Sequence, residues 1–181
     1  MSFPLCRDRR IAQFFDYWTG LRVSGGIPDN AAFDPTEIGP LLPSIWKLHW
    51  EDETRDFVYR LAGEEILAMF TTPTRHRTLG EVHDRALSET LRNRYQAVCR
   101  TPVAFYSRGR IYRHLDRYGT GERLVLPLMD AKGRPRIVIG CTVYAASRWP
   151  NPSARPPAPE ADLDVFTSLD GAPLERIREA G

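Results

Sequence analysis

Phe57-Val58-Tyr59-Arg60-Leu61-Ala62-Gly63, running straight into Glu64-Glu65-Ile66-Leu67-Ala68-Met69-Phe70, is the stretch that decides the fold. The first seven residues mix aromatic and branched side chains and stop at a glycine, so they predict a strand with Phe57, Tyr59 and Leu61 sharing the core face. A helical run follows without an intervening loop. Further along, Glu122–Asp130 and Arg136–Tyr144 are apolar runs flanking the turn Ala131-Lys132-Gly133-Arg134-Pro135, which predicts a closing β-hairpin. Upstream, Ser44–Glu51 predicts the first strand, and Asp52–Asp56 a polar turn. Between the second strand and the hairpin, Leu79–His83 predicts a helical turn and residues 85–100 a long helix. That helix buries Leu87, Leu91, Tyr95 and Val98, turns Arg92 to solvent, and is stopped by Pro102. Val103–Tyr112 predicts a third strand. Strands with helices inserted between them imply an α+β domain: an antiparallel sheet of about five strands, helices on one face.

Working outward, Ile11, Phe14, Phe15, Trp18 and Leu21 fall on one stripe of a leader helix over residues 8–22, with Asp8 as its cap. The stripe is too aromatic to face solvent. It must fold back on its own sheet or meet a second copy, and the commonness of two-fold dimers favours a homodimer with Phe14, Phe15, Trp18 and Leu21 at the interface. Asp34-Pro35-Thr36-Glu37 has the form of a helix start, cut short by Pro40 and Pro43. Pro127 inside an apolar run implies a bulge or an edge position. Five prolines between Pro150 and Pro159 mark an extended tail that docks or stays free. The chain divides into a leader helix and linker (1–30), a sheet domain (31–147) and a Pro-rich tail (148–181).

The segments YRLAGEEI and VLPLMDAKGRPRIVIGCTVY, with Asp34-Pro35 and Leu41-Leu42-Pro43 ahead of them, resemble a bacterial PAS-domain family over residues 8–146. The resemblance implies a stand-alone sensory or interaction module with a PAS-like fold, one that binds rather than catalyses. Thr71–Thr78 departs from that family's glycine-bearing stretch after the first helix. It also lacks the cysteine of flavin-binding members, which speaks against flavin. Haem-binding members carry a histidine near the long helix; His83 stands there, more simply explained as a polar residue at a helix start.

Composition narrows the rest. The chain has 181 residues, 42% hydrophobic and 27% charged, with a net charge of +2, which suits one soluble domain with tails. Arginine is used almost to the exclusion of lysine, found only at Lys47 and Lys132, but acids interrupt every basic run. Arg108, Arg110, Arg113, Arg117 and Arg123, with Tyr106, Tyr112 and Tyr118 among them, would have to share a face to hold nucleic acid; a solvated hairpin is the simpler account. Cys6, Cys99 and Cys141 form no paired motif, which argues for a reducing, cytoplasmic setting. Neither a leader peptide nor a membrane span is expected.

Catalytic signatures are thin. His76, Glu81 and His83 lack metal-ligand spacing, so no metal is expected. No nucleophile elbow, phosphate loop or dinucleotide fingerprint occurs. A non-enzymatic role is therefore expected, with a small enzyme of an α+β fold as the rival. The resemblance places any ligand between helices and sheet. Tyr59, Met69, Phe70, Leu91, Tyr95, Phe105 and Leu126 are the candidate lining, with Tyr59, Tyr95 and Ser107 able to orient a polar group; these side chains could equally fill a solid core. A protein partner in signal transduction is the expected recipient of the signal.

Overall fold

The computed structural model describes residues 3–114, 117–148, 160–172 and 174. Helix α1 (Arg9–Gly20) begins where Asp8 accepts a hydrogen bond from the Arg10 backbone N–H at 2.8 Å, as a capping aspartate should. The Asp34 signal does not open an α-helix. Its carboxylate closes a tight turn by accepting from the Thr36 N–H, and a 3-10 helix over Gly39–Ser44 follows, because Pro40 and Pro43 cannot supply α-helical backbone donors. Strands β1 (Ile45–Glu51) and β2 (Asp56–Ala62) form a hairpin. Then come the single helical turns α2 (Glu64–Leu67) and α3 (Leu79–Val82) and the long helix α4 (Arg85–Arg100). Thr78 and Glu81 make a reciprocal capping box on α3, and Asp84 caps α4 through the Leu87 N–H at 2.9 Å.

Strands β3 (Ala104–His114), β4 (Arg117–Met129), β5 (Pro135–Arg148) and β6 (Glu160–Thr167) complete one antiparallel sheet in the order β2-β1-β5-β4-β3-β6. The sixth strand is an addition to the five expected. It comes from the segment read as tail, where Leu163, Val165 and Phe166 pack on the domain while the backbone pairs with β3. Pro127 is tolerated because the β3–β4 pairing stops at Val125, so no strand flanks it on that side.

Each face of the sheet carries its own apolar layer. On one, Ile11, Phe14, Phe15 and Trp18 of α1 pack with Tyr106, Leu124, Leu126, Ile139 and Cys141, all at most 1% exposed. Trp18 Nε1 donates to the Pro127 carbonyl at 3.0 Å. The buried Glu122 carboxylate accepts from the backbone N–H of Arg7 and Asp8 and from the Tyr106 hydroxyl, tying the start of α1 to β4. These contacts correct the expected dimer interface. Phe14, Phe15 and Trp18 are covered by the chain's own sheet and Leu21 is half-buried against it, so the stripe acts as an intramolecular lid.

The opposite, inner face is covered by α2, α3 and α4. Trp46, Leu48, Phe57, Tyr59, Tyr95, Val98, Phe105, Val125 and Val138 meet there. Leu61 does not join Phe57 and Tyr59 as alternation predicts. The pairing of β1 with β2 slips between Lys47 and Leu48, leaving Arg60 as an extra residue, and Leu61 turns to the α1 side. Arg92 also departs from its expected solvent role. Its guanidinium makes two parallel bonds, 2.9 and 3.0 Å, to the buried carboxylate of Asp56, which also accepts from the Gly80 N–H.

Candidate functional site

On the inner face, strand side chains meet the single turns α2 and α3 and the stretch between them as well as the long helix α4. β2 presents Tyr59 there, and its hydroxyl lies 3.0 Å from Nε2 of His83, the residue that ends α3. Phe70, beyond α2, sets its ring 5.4 Å from the His83 ring and 6.0 Å from that of Tyr59. From α4, Tyr95 reaches Trp46 of β1, with ring centres 5.4 Å apart. Gly140 on β5 lets the Trp46 indole lie directly on the sheet; any side chain there would run into that ring. Trp46 Nε1 donates to the Thr142 hydroxyl at 2.9 Å.

In the middle stands Arg123 of β4, half-buried. Its Nε donates to the same Thr142 oxygen at 3.1 Å, and the Tyr95 hydroxyl is within its hydrogen-bonding reach. Ser107 is its register partner on β3 and is buried. Thr142, 0% exposed, thus uses both acceptor positions on two donors and holds the guanidinium plane in one orientation. The positive charge is felt locally. Burial, followed by the charge of Arg123, pulls the His83 imidazole down to about 4, so it is neutral at physiological pH. Burial pushes the Tyr59 and Tyr95 phenols upward, with Arg123 opposing it, and both stay protonated.

Of the residues expected to line a site, Tyr59, Met69, Leu91, Tyr95 and Phe105 belong to this buried layer, Phe70 packs half-buried against it, and Ser107 stands beside Arg123. Leu126 is the exception. It lies on the opposite face under α1, because β4 alternates and Leu126 shares parity with Leu124, not with Val125 and Arg123. Trp46 and Thr142 went unrecognised, and Arg123 was considered only for nucleic acid and not for this inner-face site. The available signal was parity: Arg123 stands just ahead of the apolar run Leu124–Met129, two positions before Val125 and so on its face. The nucleic-acid face that the sequence disfavoured is not formed by its described members, since Tyr106 is fully buried under α1 while Arg123 faces the helices. As for haem, Nε2 of His83 is already turned to the Tyr59 hydroxyl. Among the described residues no three His, Cys, Asp or Glu side chains converge as metal ligands.

An antiparallel sheet in the order 2-1-5-4-3, with short helices between its second and third strands packed on one face, calls for comparison with sensor folds. The family model described as "PAS domain" matches residues 7–143. The chain belongs to the PAS domain family. The match spans α1, the helical insert and the strands as far as Val143, so the inner face just described is that of a PAS domain. No curated protein matches the chain. No solved structure matches it either. PAS domains are in general sensory modules, and no helix among the described residues is long and apolar enough to cross a membrane.

Proposed function

We propose that this PAS domain is a non-catalytic sensory module of a bacterial signalling pathway that takes a small organic ligand between its sheet and helices α2–α4. The observation that carries the reading is the Tyr59–His83 pair, a polar contact set among Phe70, Tyr95 and Trp46. Apolar walls with a few oriented polar groups are the usual make-up of small-ligand sites. Half-buried His83, Phe70, Tyr144 and Arg123 give a ligand a way in from solvent. Occupancy is then passed to a protein partner, a second copy of the chain included, through surfaces other than the apolar stripe of α1. Cys6, Cys99 and Cys141 form no disulfide, which agrees with work in a reducing cytoplasm.

The test is mass spectrometry of the supernatant released when natively purified protein is denatured. A small molecule in near-stoichiometric amount supports the reading. A supernatant without one, together with a melting temperature that no member of a metabolite library raises, would favour a solid core used for protein contacts alone.

A further inference from the structure

We infer that the inner face of this PAS domain selects a small monoanionic organic carboxylate with an aromatic or apolar body, held by the Arg123 guanidinium. The inference rests on the small-ligand reading above and adds the chemical class. A guanidinium is always charged and presents five N–H donors in a planar fork. Among the described residues, Arg123 is bonded through Nε to the neutral Thr142 hydroxyl, the neutral Tyr95 phenol lies near it, and no carboxylate pairs with it. The acids nearest in influence are committed elsewhere. Asp56 is bound by Arg92 and the Gly80 N–H, and Asp84 caps α4. A cation held partly out of water without a counter-charge is costly, and an anionic ligand supplies that charge.

The number of charges and the walls set the class. Arg94, the other cation whose charge reaches Tyr95, is paired with Asp164 at 2.7 Å. His83 is neutral, so one positive charge is left, which suits a monoanion better than a phosphate dianion. Thr142 fixes Nε and leaves the outer edge of the fork for two parallel bonds to carboxylate oxygens, the geometry in which arginine binds best. Around it stand Trp46, Tyr59, Tyr95 and Phe70, a wall for an apolar body, with Ser107 and the Tyr59–His83 pair as neutral polar contacts.

The experiment compares acids with their amides on the full chain at neutral pH: phenylacetate against phenylacetamide and hexanoate against hexanamide, by calorimetric titration. For at least one pair the acid is expected to bind at least about tenfold tighter than the amide, as loss of one charge-assisted bidentate contact implies. That preference is expected to vanish in Arg123→Gln, to be partly kept in Arg123→Lys, and to be unchanged in Arg85→Gln. Inorganic phosphate is expected not to compete. Equal binding of acid and amide would overturn the carboxylate class while leaving a small-ligand module intact. An acid preference that survives in Arg123→Gln, or competition by phosphate, would overturn the assignment to this guanidinium. Absence of binding by both members of both pairs would overturn it as well, and the released-ligand measurement then decides separately whether the module takes a small molecule. The acid–amide comparison on the unaltered protein stands even if Arg123→Gln fails to fold.

Discussion

Arg92 occupies a helix position that periodicity assigns to solvent, yet its side chain closes over Asp56 at the start of β2. Removing it leaves a buried carboxylate without its counter-charge, so Arg92→Ala is expected to lower stability by about 2–4 kcal/mol. Leu91→Ala, which empties part of the inner layer, is expected to cost about 2–5 kcal/mol. Arg85→Ala, at a fully solvated site, should change stability by less than about 0.5 kcal/mol. Urea melts of the three variants check the order. The two half-buried histidines give a pH dependence of defined sign. His49 and His83 are both held down to about 4, by burial first and then by neighbouring cations, against an ordinary value of 6.5. The unfolded chain therefore takes up their protons first as pH falls, and stability is complete above about 6.5, declines toward about 4 and then flattens with respect to these groups. Urea midpoints measured across that range should fall, and fall less in His83→Gln. An unchanged slope in that variant would mean the imidazole is better solvated than its surroundings imply. None of this was legible residue by residue. Arg92 and Asp56 are far apart in sequence, and the slip at Arg60 that turns Leu61 over leaves no mark in the composition of β2.

At the scale of elements, α1 and α4 show how much a local pattern conveys. Both begin at aspartate caps, and their apolar stripes are the faces they bury, except that Leu87, expected to be buried at the start of the α4 stripe, is exposed. What the stripe of α1 meets is a different matter, since an apolar surface is satisfied equally well by its own sheet or by a neighbouring molecule. The sheet wins here because β4 and β5 carry apolar residues of both parities, so the face away from α2–α4 also needs covering, and Glu122 secures the start of the helix. Phe15→Ala and Trp18→Ala are accordingly expected to cost about 3–5 kcal/mol without altering the oligomeric state seen by sedimentation. A dimer that dissociates in either variant, with thermal stability unchanged, would return the stripe to the interface role.

On the scale of the whole molecule, β4 joins the two layers: Glu122 points to α1 and the next residue, Arg123, to the candidate ligand site. β6 closes the far edge, held by backbone pairing to β3, by the Arg94–Asp164 ion pair at 2.7 Å and by Phe166 against Phe105. A chain ended after Arg148 uncovers the β3 edge together with that aromatic contact. It is expected to unfold at lower urea and to scatter light increasingly with concentration, because an open strand edge pairs with other chains. The sequence by itself determined the two long helices and the Asp8 cap, the Gly133 turn, the strand-rich closing half and the family resemblance. All of these depend on residues within a few positions of one another, where spacing and backbone preference decide. Only the tertiary structure decided which face of β4 looks toward the helices, whether β6 belongs to the sheet, and that among the described residues Arg123 stands without a carboxylate. A strand buried on both sides has apolar residues in both parities, and the pairing of distant charges depends on contacts that no local pattern encodes.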